Sequence, residues 1–261
     1  MLEIQRILKS LKDDEITINT AKKLLSLYSI EEVENFAKID VNRRKRRGIP
    51  EVILAETKEL EEIKKIIEKT IEKTEPLIVS RIRKEDYKKI IAFSKSQKIK
   101  VKTGQNSSSI LLFRKKIKQN GGNIGIITAG TSDIGVAEEA RLMAEAMNCK
   151  CVTSYDLGVA GIQRIFPVIK QMIENDVDCI IVAAGMEGAL ATLVSTLTDI
   201  PIIGIPTSVG YGYGEKGIAA LASMLQSCSL GLSVVNIDNG IAAGGIAANI
   251  ANRTKNHKQG F

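Results

Sequence analysis

The second half of the chain alternates short apolar runs with longer amphipathic segments, and each run ends in a polar or glycine-rich motif. The apolar runs are continuous, which is typical of parallel strands covered by helices on both faces. The pattern predicts five strands and five helices in alternation, an α/β fold. The predicted strands span residues 124–128, 150–154, 179–183, 201–205 and 232–237, and the predicted helices span residues 136–147, 163–175, 189–197, 217–227 and 243–252.

The first half mixes amphipathic helices with short strands and predicts a small α/β module. A break at Gly121-Gly122 indicates a linker or tight turn, so we expect two domains, residues 1–120 and 121–261. The predicted helices are 2–11, 20–27, 30–39, 58–73 and 84–96, and the predicted strands are 51–55, 76–79, 99–103 and 110–113, the last two around a polar loop at 104–109.

Charge separates the same two halves. Residues 1–122 carry 29 basic and 18 acidic side chains, whereas residues 123–261 carry 8 and 12, for a net charge of +7. The basic run Arg43–Arg47 suggests nucleic acid, but it leads into a turn and no aromatic side chain interleaves it. We therefore expect no nucleic-acid partner and favour a solvated surface or a contact to substrate phosphates, to which Lys102 and Arg114 would add.

The composition excludes several familiar chemistries. The one histidine, His257, lies four residues from the C-terminus, which leaves no Ser-His-Asp triad, HExxH zinc site or Cys-His dyad in the folded part. Four cysteines are too few for a disulfide framework and favour a reducing cytoplasm. No apolar run has the length of a membrane span, and residues 1–8 lack the apolar stretch of a signal peptide.

Polar motifs follow the carboxyl ends of the predicted strands, the edge where α/β sheets bind ligands. The motif Gly130-Thr131-Ser132-Asp133 precedes a helix, whose first N–H groups receive phosphates well. Ser132 or Asp133 fits equally well as a helix N-cap.

Two further motifs lie at this edge. Residues 210–217 hold four glycines with Tyr211 and Tyr213, and they fit a nucleotide contact, a lid or a flexible connection. Glu187 follows the third strand and fits a general base, a metal ligand or a solvent-facing acid near a helix start.

The cysteines divide into two groups. Cys149, Cys151 and Cys179 lie in or beside strands and are expected to be small buried side chains. Cys228 lies in a loop between the fourth helix and the last strand. It is a candidate nucleophile, provided that its loop lies at the ligand edge and that a cation lies nearby.

Taken together, the motifs resemble a known family. Residues 123–252 resemble PurE-type aminoimidazole ribonucleotide (AIR) carboxylases, which implies a flavodoxin-like, PurE-like three-layer α/β domain with a parallel sheet, preceded by the small basic α/β domain. Over about residues 40–252 the chain is more similar to LarB, the pyridinium-3,5-biscarboxylic acid mononucleotide synthase of nickel-pincer cofactor biosynthesis. The motifs are Arg43–Glu51, Ala129–Asp133, Asp156–Gly161, Ala184–Leu190, Pro206–Gly212, Ser227–Cys228 and Val235–Gly240.

The resemblance to LarB implies a transferase-class carboxylase and phosphoanhydride hydrolase. It would carboxylate the pyridinium ring of nicotinic acid adenine dinucleotide with CO2 or bicarbonate and release AMP. The resemblance also implies Mg2+, with ligands that the sequence does not identify, and a cytoplasmic homo-octamer. The implied catalytic residues are Cys228, which adds to the ring, Glu187 as base, and Asp133. The implied substrate-binding residues are Gly130, Thr131, Ser132, Gln163, Arg164, Gly185, Met186, Gly210, Tyr211, Gly212 and Asp238.

One position departs from the family pattern. Gln163 stands where the family commonly has histidine, and PurE enzymes use a histidine of the equivalent loop as proton carrier. A glutamine side chain carries no proton at neutral pH. Two alternatives remain open: a PurE-like AIR carboxylase or mutase, which Gln163 disfavours, and a non-catalytic nucleotide-binding protein.

Overall fold

The computed structural model describes residues 2–25, 31–33, 37–39 and 48–258. In the described part of the first half, two N-terminal helices and a strand pair come first, and a four-stranded sheet with two helices follows. The sheet order is β3-β4-β6-β5, with β3 and β4 parallel and the other pairs antiparallel. The elements are α1 (Leu2–Lys12), α2 (Ile18–Leu25), β1 (Glu31–Val33), β2 (Ala37–Ile39), β3 (Glu51–Leu54), α3 (Leu60–Lys73), β4 (Leu77–Ser80), α4 (Lys84–Ser96), β5 (Lys100–Thr103) and β6 (Ile110–Phe113).

The second half confirms the predicted alternation of strands and helices. Its five strands form one parallel sheet in the order β11-β10-β9-β7-β8. All residues of β9 and β10 are buried, as expected for strands that helices cover on both faces. The elements are β7 (Asn123–Thr128), α5 (Ile134–Ala146), β8 (Lys150–Ser154), α6 (Ile165–Glu174), β9 (Cys179–Ala184), α7 (Ala189–Ser195), β10 (Ile202–Pro206), α8 (Ile218–Leu225), β11 (Leu232–Val234) and α9 (Gly240–Lys258).

The small sheet and the parallel sheet pack against opposite sides of α5. Because side chains alternate along a strand, Leu77 and Val79 of β4 pack among the buried residues of α3 and α4. Ile78, between them, faces the opposite way and joins the core of the parallel sheet, as does Leu111 of β6. The small sheet therefore covers α5 from outside.

The junction between the halves is packed against α9. A Cβ added to Gly121 would lie 2.3 Å from Asn252 Oδ1, and one added to Gly122 would lie 2.4 Å from the Ala251 carbonyl oxygen. Both approaches are closer than a side chain allows. The expected linker or turn is thus a close backbone crossing that only glycine permits.

Several predicted boundaries differ from the observed ones for local reasons. Helix α3 begins at residue 60, because Glu62 Oε2 accepts the Glu59 N–H (3.1 Å) and fixes the first turn there. Residues 159–164 form a 3₁₀ turn before α6. The last strand is shorter than predicted and the last helix is longer, ending at residue 258 and including His257.

One predicted helix is wrong. Residues 31–33 and 37–39, inside the predicted helix 30–39, form the antiparallel strands β1 and β2. Glu, Val and Ala support either structure over so short a segment, so the apolar spacing did not discriminate between them. The basic run Arg43–Arg47 lies outside the described residues. Within the described ranges, the helices are too short or too polar to cross a lipid bilayer.

Candidate active site

A cavity of about 280 Å³ opens at the carboxyl ends of β7, β9 and β10. Loops that follow these strands form its walls, together with residues 158–160 after β8. Because all the strands are parallel, motifs far apart in sequence meet at this edge. The predicted residues that line the cavity are Gly130, Ser132, Asp133, Gly185, Met186 and Glu187.

Asp133 holds the loops of this cavity together. Its carboxylate is buried and accepts hydrogen bonds from Thr207 Oγ1 (2.6 Å) and the Gly130 N–H (2.8 Å), and from the Gly185 N–H. Burial raises the pKa of Asp133, and the negative charge of Asp238 adds to the rise, while the three donors oppose it. Asp133 occupies the N-cap position of α5, as the sequence allowed, but its side chain makes no capping hydrogen bond to that helix.

The loop after β9 presents Glu187. A Cβ on Gly185 would lie 2.2 Å from the Val209 carbonyl oxygen, so glycine allows the loops after β9 and β10 to meet. The Met186 N–H donates to the same carbonyl (3.0 Å), and Gly188 has φ +68° at the start of α7. Glu187 is exposed between these fixed points and lines the cavity. Its carboxylate can therefore reach a ligand bound there.

A second cavity, of about 520 Å³, lies between the two sheets. Arg81 and Arg83, just beyond β4, form one wall, and Glu139 of α5 and Asp238 after β11 line the other side. Asp238 accepts the Ser208 N–H (2.8 Å). Ser132 and Val209 line both cavities, so the two spaces form one cleft.

A buried charge network fixes the small sheet against α5. Arg141 donates to Glu138 (2.6 Å) and Glu145 (2.7 Å), and Lys102 of β5 pairs with Glu145 (2.6 Å). Burial alone would raise the pKa of Glu138, but hydrogen bonds from Arg141 and Tyr155 outweigh it and lower the pKa. Lys102 is therefore engaged in this network and does not line the cleft, contrary to its expected role beside substrate phosphates.

Several loop residues that were predicted to bind substrate do not line either cavity. The side chains of Gln163 and Arg164 are exposed, and Arg164 folds back on its own turn, with Nη2 3.4 Å from the Gly158 carbonyl oxygen. Tyr211 is 82% exposed, and Gly212 and Thr131 are likewise outside the cavity linings. Gly210 adjoins the cavity wall, since a Cβ there would lie 3.4 Å from the Met186 nitrogen.

Cys228 does not lie at the edge that carries the cavity. It lies after α8 and before β11, and the neighbouring Gly231 carbonyl accepts the N–H of Ile202, the first residue of β10. Its loop is therefore at the amino edge of the sheet. Five residues of β10 at about 3.3 Å each separate the edges by roughly 15 Å. Within one chain, the condition set for Cys228 as a nucleophile, that its loop lie at the ligand edge, is not met, although the thiol is exposed.

Of the three cysteines predicted to be buried, Cys149 and Cys179 are buried in the core and Cys151 is only partly buried. Burial raises the pKa of each of these two thiols to about 12, and the nearby charge of Asp178 adds to the rise. Cys151 is partly buried, and desolvation raises its thiol pKa as well. None of the three is activated as a nucleophile.

The carboxylates of the cleft determine how a divalent metal could bind there. Across residues 2–25 and 48–258, no three His, Cys, Asp or Glu side chains converge as a metal site. The Asp133 carboxylate already accepts hydrogen bonds from Thr207, Gly130 and Gly185. Asp238 Oδ1 accepts a hydrogen bond from the Ser208 N–H. Mg2+ usually binds through one or two carboxylates and substrate phosphates, an arrangement that Asp238 fits.

Sequence reasoning missed Arg81 and Arg83. They lie in Ser80-Arg-Ile-Arg, immediately beyond the buried strand β4. Two cationic side chains just after the carboxyl end of a strand are comparable to the polar motifs that follow the strands of the second half, and they could have been noted on the same ground. The charge surplus of the first half, spread over many lysines, concealed it.

Comparison with known proteins places both halves of the chain. Residues 30–107 match the family described as LarB/PurE-like N-terminal domain, and residues 123–259 match AIR carboxylase. An uncharacterised protein of Methanocaldococcus jannaschii is 42% identical over 252 residues, covering 95% of this chain and 96% of its own length. The N5-carboxyaminoimidazole ribonucleotide mutases of Thermotoga maritima and Pyrococcus horikoshii are each 27% identical, over 49% and 44% of this chain and 73% and 64% of their own lengths.

Proposed function

This chain belongs to the LarB family, with a PurE-like AIR carboxylase domain, and from that premise we propose that it carboxylates the pyridinium ring of nicotinic acid adenine dinucleotide and cleaves the phosphoanhydride. Its two domains are those of carboxylase-related enzymes. The products of the proposed reaction are AMP and pyridinium-3,5-biscarboxylic acid mononucleotide.

The observation that carries the proposal is the division of the cleft into two cavities joined at Ser132. The first, of about 280 Å³, is largely apolar and holds the exposed carboxylate of Glu187. The second, of about 520 Å³, has Arg81 and Arg83 in its wall. A dinucleotide consists of two nucleotide halves joined by a diphosphate, so it can occupy two adjoining cavities. A substrate with one ribonucleotide, such as that named for the mutase relatives, needs one cavity.

The proposed chemistry needs a nucleophile and a base. A pyridinium ring is electron-poor and does not attack CO2, but addition of the Cys228 thiolate converts it to a neutral dihydropyridine with a nucleophilic enamine carbon. That carbon forms a bond to CO2 and becomes tetrahedral. Glu187 then removes its proton, and the electron pair restores the ring as the C–S bond breaks and the thiolate leaves. Water supplies the oxygen that separates AMP from the mononucleotide.

The position of Cys228 requires a second copy of the chain in this proposal. Large apolar side chains near Cys228 and on the glycine-rich loop are exposed: Leu225 is 67%, Leu230 93% and Tyr213 fully exposed. Such surface is typical of an oligomer interface. We infer that the amino edge of one copy brings Cys228 to the carboxyl-edge cavity of another, in the homo-oligomer that the family resemblance implies.

Mg2+ belongs to the same proposal. Asp238 would hold the ion together with the substrate diphosphate, and bound Mg2+ supplies charge neutralisation of the phosphates. The protein's own contribution is to orient the diphosphate over Ser132, between the two cavities.

The direct test is incubation of the purified protein with nicotinic acid adenine dinucleotide, Mg2+ and bicarbonate. Chromatography should show AMP, and mass spectrometry should show a mononucleotide that has gained a carboxylate. Conversion of N5-carboxyaminoimidazole ribonucleotide instead would favour the mutase alternative, and binding without turnover would favour a nucleotide-binding protein.

Cysteine variants test the covalent route separately. Cys228→Ala should lose ring carboxylation. Cys179→Ala, the same change in the core, should keep it while losing about 1 kcal/mol of stability. Full activity of Cys228→Ala would contradict the thiolate mechanism and leave the substrate assignment standing.

A further inference from the structure

We propose that the cavity between the two sheets is the subsite for the nucleoside 5′-monophosphate half of the substrate, and that Arg81 binds its phosphate. This inference rests on the proposed function for the order of the two halves. It adds a binding site in the N-terminal domain, at residues to which the family comparison gives no role.

Arg81 has donors to spare at the cavity. Within residues 48–258, it forms one ion pair, from Nη1 to Glu56 Oε2 at 3.4 Å, and both side chains are about half exposed. Such an exposed pair contributes little, so a phosphate can replace the Glu56 carboxylate at small cost. The guanidinium has five N–H donors in a planar fork that matches phosphate geometry.

Arg83 differs from its neighbour. It lies 2.9 Å from the buried carboxylate of Asp86 and also donates to the Lys58 carbonyl oxygen (3.1 Å). These contacts hold Arg83 against the start of α4. We therefore assign Arg83 to shaping the wall and Arg81 to contacting the ligand.

The backbone fixes Arg81 in place. Residue 81 has φ +53°, a conformation that few non-glycine residues adopt, and the next N–H, of Ile82, donates to the Ser108 carbonyl oxygen (2.9 Å). The turn after β4 is thus tied to the polar loop at 104–109, which lines the same cavity. Strain held at such a turn is frequent at ligand sites.

The other walls suit a ribose. The carboxylate of Glu56 lines the cavity, and a carboxylate is the usual acceptor for ribose hydroxyl groups. The volume of about 520 Å³ is within the range of small-ligand sites. Since Ser132 belongs to both cavities, a phosphoanhydride that joins the halves would lie there, next to the loop fixed by Asp133.

The test measures binding of AMP to the full-length protein by calorimetry, with nicotinic acid mononucleotide as a second probe for the first cavity. Arg81→Gln should weaken AMP binding at least about tenfold, the loss expected for one charged hydrogen bond, and leave mononucleotide binding within about twofold. Arg81→Lys should be intermediate. Arg253→Gln, an equal charge change at an exposed residue outside both cavities, should change neither. A thermal melt of each variant checks folding.

The outcomes separate this inference from the proposed function. Equal AMP affinity in Arg81→Gln and the unaltered protein, or no AMP binding by a protein that turns over the dinucleotide, would overturn the subsite alone. Arg81-dependent AMP binding without release of AMP from the dinucleotide would keep the subsite and overturn the proposed reaction.

Discussion

Two loop regions at opposite edges of the parallel sheet, around Asp133 and around Cys228, are held by different interactions. At the carboxyl edge, buried carboxylates tie the loops together, as Asp133 does to Thr207 at 2.6 Å. At the amino edge, neutral hydroxyls of α7 meet the Cys228 loop, with Ser195 Oγ 2.7 Å from Ser229 Oγ. Charge-assisted hydrogen bonds are about twice as strong as neutral ones. The Asp133 contact is accordingly the stronger of the two, and the amino edge presents the exposed thiol of Cys228.

Subunit mixing tests whether the two edges act across chains. Cys228→Ala and Glu187→Gln should each be inactive in carboxylation. Random co-assembly should restore activity to about one quarter, because one site in four then combines native Cys228 of one copy with native Glu187 of another. The measurement is AMP and carboxylated product from co-expressed, differently tagged chains.

The control mixes Cys228→Ala with Cys228→Ser, which should restore nothing. If verified mixed oligomers of the first pair also stay inactive, Cys228 does not act across an interface, and the comparison of edges loses its functional meaning.

Much of this comparison was present in the sequence. Continuous apolar strands ending in Gly130–Asp133 and Gly185–Glu187 placed those motifs at one edge, and chain order fixed that result because all strands are parallel. The same logic places any residue between a helix and the next strand at the amino edge. Applied to residue 228, it predicts the amino edge, so the condition set for Cys228 could have been decided from the sequence.

Other features depend on tertiary packing that local patterns do not encode. The cavity beside Arg81 exists because Ile78 and Leu111 turn one face of the small sheet onto α5. Alternation along β4 predicts two different faces. Because all four residues of the strand are buried, however, the sequence pattern does not show which face packs against α5 and which against α3 and α4. The strands in 30–39 are three residues each, too short for periodicity to separate strand from helix.

Asp133→Asn should lower the free energy of unfolding by about 2–3 kcal/mol. The amide keeps only one acceptor oxygen, and its NH2 group would face the backbone N–H donors that the carboxylate now accepts. Urea unfolding at neutral pH measures the loss. Thr207→Val should cost about 1 kcal/mol, and the double variant should cost less than the sum, since the two side chains share one hydrogen bond. A loss below about 0.5 kcal/mol for Asp133→Asn would show that this carboxylate does not hold the loops.

Glu138 and Glu139 of α5 provide a pH test within the same edge. Burial raises the pKa of Glu139, with hydrogen bonds from Ser109, the Ile241 N–H and Ser80 opposing it. The folded state then binds the proton more tightly than the unfolded state, so its contribution is full at low pH and declines as pH rises above the ordinary pKa of about 4.3. Glu139→Gln removes this decline, and its stability relative to the unaltered protein should rise with pH.

Glu138→Gln should show the opposite slope. The lowered pKa of Glu138 means that its contribution is present above the ordinary value and is lost as pH falls through the folded pKa. The variant should lose about 1–2 kcal/mol near neutral pH, and the deficit should shrink under acid conditions. Thermal melts between pH 4 and 8 compare the pair, and parallel slopes would contradict both assignments.

Ser195→Ala should have the smallest effect, about 0.5–1.5 kcal/mol, because the Ser195 hydroxyl makes only neutral contacts, to Ser229 Oγ and to the Thr192 carbonyl oxygen (both 2.7 Å). Since no ionisable group takes part in the Ser195–Ser229 contact, the loss should be the same from pH 5 to 8, unlike the carboxyl-edge variants. Urea unfolding across that range is the measurement, with Ser96→Ala, which removes an exposed 2.7 Å bond to Phe93 in α4, as the matched control. A pH-dependent loss at Ser195 would mean that a titrating group acts on the Cys228 loop, and the chemical distinction between the Asp133 and Cys228 regions would fail.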